Sequence, residues 1–253
     1  MLSPARRHRL AAKAALEAAK ADEFGGVRPD ASVYQLQLTE LKNDTHVLRS
    51  IQSQTERAKV KAEQLIPKHM PYVNGVIESG FKVDQDEVIT TIMIWCFDSA
   101  LFDVGLKLAE YALKHNLKMP DSYSRNTATI IAEEIGNAAR VAHKAGDDFQ
   151  LEVLEKAHHI TTDFDMPDEV RAKILLAIGR AYLHRELATL AVAYLKAAVE
   201  KHENCGGKQD LQKAERLFRK QAEEQLKNLP EPMLNADGSQ VVDDQGNLAF
   251  HPT

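Results

Sequence analysis

The order of apolar and polar positions predicts an all-helical chain. Residues 5 to 23 are dominated by Ala, Lys, Arg and Glu, strong helix formers, and Asp22-Glu23-Phe24-Gly25-Gly26-Val27-Arg28-Pro29 then breaks the pattern. This predicts a short basic helix followed by a flexible hinge. From Val33 a long helix is expected to run to Ile66, where Pro67 removes the N–H that would continue it. Within that run Leu41, Asp44, Leu48, Ile51, Thr55, Ala58, Ala62 and Leu65 alternate three and four apart, and six of the eight are apolar. The result is a heptad-like seam with two polar interruptions. The apolar members Leu41, Leu48, Ile51, Ala58, Ala62 and Leu65 suit packing within the chain and oligomerisation equally.

Residues 67 to 80, with Pro71, Asn74 and Gly75, read as a junction into a second helical unit. There Val88, Ile89, Ile92, Met93, Trp95 and Cys96 supply one apolar helix, and Gly105, Leu106, Ala109, Tyr111, Ala112 and Leu113 supply the next. The short break between Asp98 and Asp103 makes them an antiparallel hairpin. In a second hairpin, Leu175, Ile178, Gly179, Tyr182, Ala191, Leu195 and Ala198 fall at the spacing of a tetratricopeptide-type helix pair. Two hairpins that are not a whole number of repeat periods apart predict a compact domain of TPR-like pairs, not a solenoid. Asp168 and Glu169 favour the start of that second hairpin. A charged helix is expected over residues 208 to 228, and a flexible acidic tail, able at most to form a small hairpin, over 229 to 253. The expected organisation is therefore a DNA-binding helix and hinge over 1–30, an oligomerisation helix and junction over 31–80, a helical-hairpin core over 81–228, and the tail.

Composition narrows the class. A chain of 253 residues, 44% hydrophobic and 27% charged, can bury a sizeable core. The longest nearly uninterrupted apolar stretch, residues 88 to 97, is far shorter than the roughly 20 residues that cross a bilayer. The basic start Met1-Leu2-Ser3-Pro4-Ala5-Arg6-Arg7-His8-Arg9 is not followed by an apolar region, so no secretory signal is expected and the chain is assigned to the cytoplasm. Cys96 and Cys205 have neither disulfide-framework nor zinc-site spacing. The net charge of −5 is unevenly spread: residues 1 to 77 hold 12 Lys/Arg against 8 Asp/Glu, and residues 78 to 170 hold 8 against 18. A positive end on a negative body holds a polyanion in one place.

Catalytic signatures are sparse. Gly206-Gly207-Lys208-Gln209 lacks the first half and the hydroxyl of a phosphate-binding loop, which argues against ATP hydrolysis. Pro167-Asp168 opens like a nuclease motif, but the only Asp/Glu-x-Lys triplet is Glu40-Leu41-Lys42, far upstream. His158 and His159, followed by Asp163 and Asp165, are adjacent residues that point about 100° apart on a helix and so do not chelate. No catalytic residue, metal ligand or cofactor is assigned. The productive clusters are basic: Arg6, Arg7, Arg9 and Lys13 near the N-terminus, and Arg57, Lys59, Lys61 and Lys68 near the end of the long helix. Such side chains pair with phosphates and bind double-stranded DNA in a salt-sensitive way.

Several stretches in one order carry a family resemblance. They are Ser3-Pro4-Ala5 with Arg7-His8; Pro71 with Val73-Asn74-Gly75-Val76 and Glu78; Met93, Trp95, Asp98, Gly105, Tyr111-Ala112-Leu113-Lys114, Leu117 and Met119-Pro120; and Met166-Pro167-Asp168-Glu169-Val170-Arg171-Ala172-Lys173. Over most of its length the chain resembles the small terminase subunits of Peduovirus-type tailed phages, the GpM or terminase endonuclease subunit family. The resemblance implies a subunit that binds the packaging-initiation DNA, forms a homo-oligomeric ring, and recruits and regulates a large subunit carrying ATPase and nuclease centres. It also implies action in the host cytoplasm and absence from the mature virion. Two other readings stay open: an endonuclease that cuts the packaging site itself, with Asp163, Asp165, Asp168 and Glu169 as its carboxylates, and a TPR-like adaptor that binds only protein.

Overall fold

The computed structural model describes residues 3–23, 32–80, 83, 85–120 and 123–227. Among these residues every regular element is helical. The expected hinge over residues 24–29 and the expected tail over 229–253 lie outside the described residues.

The fold is organised around its most apolar segment. Helix α5 (Glu87–Asp98) buries every residue from Val88 to Phe97 except Thr91. Large apolar side chains each contribute about 1.5–3 kcal/mol when fully buried, so this helix is the anchor of the core. Its start is fixed by Asp86, itself fully buried, whose Oδ1 accepts from the N–H groups of Val88 at 3.0 Å and Ile89 at 3.1 Å. The Tyr72 hydroxyl donates to the other Asp86 oxygen at 2.7 Å and so ties this cap to the preceding helix, α4 (Ile66–Ser79).

Three helix pairs then follow in sequence: α5 with α6 (Phe102–Lys114), α7 (Thr127–Ala145) with α8 (Leu151–Thr161), and α9 (Asp168–His184) with α10 (Ala188–Lys201). Each pair stacks on the one before, and α11 (Lys208–Lys227) lies against α10 at the end. The two hairpins expected from the apolar pattern are present. The pair between them, which the expected hairpins do not include, has a buried face that combines small residues such as Ala128, Ala132, Ala139 and Ala157 with Ile131, Ile135 and Leu154. Asp168 is the first residue of α9 with Pro167 in the cap position, so it acts on the helix end through its charge and not as the cap. It also pairs with Lys201 of α10 at 3.3 Å.

The ends of α5, α6 and α9 share one geometry. Ala100, Asn116 and Glu186 adopt left-handed φ values of 57°, 54° and 57°. The next residue, always a leucine, returns its N–H to a carbonyl in the last turn: Leu101 to Cys96 at 2.8 Å, Leu117 to Ala112 at 2.8 Å and Leu187 to Tyr182 at 3.0 Å. Two of these ends reverse the chain into the second helix of a pair, which is why three-residue connections suffice.

The N-terminal third departs from the expected long helix. Helix α2 (Ser32–Ser50) stops, residues 51–53 are non-helical, and α3 (Gln54–Val60) begins afresh with the Ser53 hydroxyl accepting from the Glu56 N–H at 3.2 Å. Ser53-Gln54-Thr55-Glu56 is a capping-box sequence that the heptad spacing conceals. The expected stop at Pro67 and the expected junction over 67–80 are also corrected. A wide π turn, Lys61–Leu65, links α3 to α4, and the helix continues through Pro67 and Pro71 to Ser79. The wider turn accommodates the missing N–H and the ring that would otherwise press on the carbonyl four residues back. Gly80, at φ 69°, ends it.

The seam largely faces its own chain. Leu41, Leu48 and Leu65 are buried, Ile51 packs half-buried on the same core, and Ala58 and Ala62 are half-buried. The polar member Asp44 is buried too. Its Oδ2 lies 2.8 Å from His69 Nε2, and its carboxylate accepts from Lys68 Nζ at 3.0 and 2.9 Å. His69 Nδ1 stands 3.1 Å from Gln37 Oε1, which joins α2 to α4 a second time.

Candidate nucleic-acid interface

The first basic cluster belongs to a helix that is built into the fold. Helix α1 (Pro4–Glu23) buries Ala14 and Ala18 against α4, and Gly75 of α4 receives its backbone near Ala11. Farther along, the Glu17 carboxylate accepts from the Val33 N–H at 2.8 Å and the Tyr34 N–H at 3.2 Å, neutralising the positive end of α2. With about 100° per residue, Arg6, Arg9, Lys13 and Lys20 fall on the side away from those alanines, whereas Arg7 lies on the alanine side, one turn before Ala11. All five are exposed. The structure therefore brings Arg6, Arg9 and Lys13 into one stripe and adds Lys20, which the sequence reading does not include.

The second cluster does not converge. Lys61 pairs with Asp98 at 2.5 Å, Lys68 with Asp44, and Arg57 folds back to donate to the Gln52 carbonyl at 3.3 Å. Lys59 is exposed.

A separate basic groove lies between α2 and the connection leading to α7. Lys42, His46 and Arg49 stand exposed along one wall, Lys118 faces them, and Trp95 lies in the floor. The signal was legible in part: positions 42, 46 and 49 have i, i+4, i+7 spacing beside the buried 41, 44, 48 set. Lys118 could not be placed there without the fold. Tyr123 sits at the rim, its hydroxyl pKa raised by partial burial and by the nearby Asp98 and Glu134 carboxylates.

The carboxylates considered for nuclease chemistry, Asp163, Asp165, Asp168 and Glu169, are all exposed, and Asp168 is in the ion pair with Lys201. Among the described residues no three His, Cys, Asp or Glu side chains are grouped so as to hold a metal ion. Glu134 has its pKa raised by burial and by Asp98 and Glu133, but it lies close to Lys173, which pairs with Glu133, and to Lys61, which pairs with Asp98. Burial pushes the Cys96 thiol up to about 12, which removes it as a nucleophile at neutral pH. No described helix is long and apolar enough to cross a membrane.

Comparison with known proteins gives a consistent result. The family described as phage small terminase subunit matches residues 38–169. The chain is 36% identical over 236 residues to the "Terminase, endonuclease subunit" of Escherichia phage P2, covering 93% of this chain and 90% of the relative. It is 27% identical over 135 residues to the "Probable terminase, endonuclease subunit" of Haemophilus phage HP1 (strain HP1c1), covering 53% of this chain and 48% of that one. No solved structure matches. The matched family segment contains the described residues of the basic groove, while α1 lies upstream of it.

Proposed function

Starting from the chain's membership of the phage small terminase subunit family, we propose that it binds the packaging-initiation duplex and holds it for a separate motor-nuclease subunit. The observation that carries this reading is the exposed stripe Arg6, Arg9, Lys13 and Lys20 on a helix locked to the body of the fold. Cations on a convex, fixed helix meet the outside of a duplex without local reorganisation, and each phosphate neutralised releases counterions. Arg7, Arg57, Lys59, Lys61 and Lys68 extend the basic surface, the last two only when their ion pairs with Asp98 and Asp44 exchange for phosphate. Repetition of the stripe around a homo-oligomeric ring multiplies a modest patch into a strong one. Ala58 and Ala62 of the seam, and the exposed Leu16, Leu36 and Val47 beside it, are the surfaces available to a neighbouring subunit. The large subunit then supplies ATPase and nuclease activity in the host cytoplasm.

Replacing Arg6, Arg9, Lys13 and Lys20 together by Ala is expected to abolish retention of packaging-site duplex while the melting temperature stays unchanged. Undiminished retention refutes the assignment of the stripe. A native mass measurement with and without duplex tests the ring.

The relatives' names favour a second reading, in which the chain cuts DNA itself. Under it, the purified chain with magnesium or manganese cleaves packaging-site duplex in the absence of any large subunit. Intact duplex after prolonged incubation removes that reading.

A further inference from the structure

We propose that the groove between α2 and the residues Lys118, Met119, Pro120 and Tyr123 is a binding site for single-stranded DNA, distinct from the duplex-contacting stripe on α1. The inference rests on reading the chain as a DNA-binding subunit and assigns a second form of that ligand to a second place.

The groove encloses about 950 Å³. Lys42, His46 and Arg49 form one wall, at a spacing that keeps all three on the same side of α2, and Lys118 stands opposite. Among the described residues, the only carboxylate in its lining is that of the half-buried Glu87, so positive charge is in excess among them. Of the other described acids near it, Asp44 is paired with Lys68 and His69 and Asp98 with Lys61, and Glu134 lies on the Tyr123 side close to Lys61 and Lys173. The far wall is fixed in advance, because the Gln85 amide donates to the Lys118 carbonyl at 2.7 Å and accepts from the Lys118 N–H at 2.9 Å. A preformed wall removes ordering cost from binding.

What selects a single strand is the pairing of this charge with ring surfaces. Tyr123 is 38% exposed, and both it and the largely buried Trp95 line the groove. A duplex keeps its base faces stacked inside and offers only its phosphate exterior, which suits the convex α1 stripe. A single strand offers phosphates to Lys42, Arg49 and Lys118 and a base face to Tyr123, the combination by which such strands are held without reading sequence. A terminase subunit poised at a site where duplex is opened or cut would use it to keep one released strand.

The test is fluorescence anisotropy with the full chain, a labelled oligothymidylate and a labelled duplex, at fixed salt. The double variant Lys42→Ala/Arg49→Ala is expected to weaken oligothymidylate binding about tenfold or more. Tyr123→Ala is expected to weaken it by about fivefold or more, the loss of one stacked base. Both should leave duplex affinity within about twofold, since duplex affinity comes from phosphate contacts on another helix. The substituted side chains are exposed, and thermal melting checks that each variant folds. Unchanged oligothymidylate binding in the double variant overturns the proposal. So does equal loss of duplex binding, which would mean one shared surface, and so does displacement of the oligonucleotide by polyglutamate at equal charge, which would mark an acidic-peptide site. The α1 variant Arg9→Ala/Lys13→Ala separates the two readings: if it spares duplex binding, the stripe assignment fails while the groove result stands.

Discussion

Gly75 of α4 has Ala11 of α1 where a Cβ would otherwise be: a Cβ built on Gly75 would stand 2.2 Å from the Ala11 carbonyl oxygen and 2.8 Å from its Cα. The obstructing atoms are backbone, so no rotamer change relieves the clash. Gly75→Ala is expected to push α1 off α4 and to cost about 1–3 kcal/mol in urea unfolding. Amide exchange over α1 should speed up while α5 stays protected. An unchanged urea midpoint would show that α1 is not seated in this way.

The Tyr72–Asp86 contact gives a coupled pair. Asp86→Ala removes the α5 cap and the buried carboxylate that accepts from the Tyr72 hydroxyl, so a loss of about 2–4 kcal/mol is expected, the sum of a cap and a buried charge-assisted hydrogen bond. Tyr72→Phe should cost less in the Asp86→Ala background than alone. Strict additivity in the double-mutant cycle would contradict the contact.

Two helix ends store backbone strain. Ala100 and Glu186 hold left-handed φ without the side-chain chemistry that makes Asn116 tolerant of it. Ala100→Gly and Glu186→Gly are each expected to raise stability by about 1 kcal/mol, read as a rise in melting temperature. Destabilisation at either position would mean that the strain is relieved elsewhere.

Stability should depend on pH through buried histidines. Burial lowers the His69 pKa below its ordinary 6.5 despite the neighbouring Asp44, and burial also lowers those of His143 and His158, with Arg180 and Arg171 as further causes. At pH below 6.5 the unfolded chain therefore binds more protons than the folded one. The stabilisation is complete above that value and is lost as pH falls through it toward the folded-state values. Unfolding free energies between about pH 7.5 and pH 5 should fall, and His69→Gln should flatten part of that slope. An equal slope in the variant would place the effect on other groups.

How much of this was legible in the sequence differs between regions for physical reasons. Large apolar side chains mark the buried faces of α5, α6 and α9, while α10 buries Ala188, Ala191 and Ala198 around Leu195 and is legible through the small-residue spacing of a helix pair. Helices α7 and α8 mix alanine and threonine with Ile130, Ile131, Ile135, Val153 and Leu154 on their buried faces, so they too are amphipathic, although the hairpin spacings do not assign them. Of the heptad seam over Leu41 to Leu65, Leu41, Asp44, Leu48 and Leu65 are buried, Ile51, Ala58 and Ala62 are half-buried and Thr55 is exposed, and the seam hid the break at residues 51–53 where the Ser53 cap restarts the helix. Pro67 ends a regular helix only when the preceding turn is a regular α turn, and the π turn before it is a packing outcome. Of the interface, the α1 cations were readable from composition. The pairing of Lys61 and Lys68 with carboxylates 37 and 24 residues away, and of Lys118 with the α2 wall, needed the tertiary structure.

The claim that this chain holds duplex DNA through the α1 stripe is tested most directly by the salt dependence of binding. In a plot of log affinity against log salt, each phosphate contact contributes a slope of about 0.9. Replacing Arg6, Arg9, Lys13 and Lys20 by Ala is expected to reduce the slope of the unaltered chain by about three to four. Parallel lines for the two proteins would contradict it.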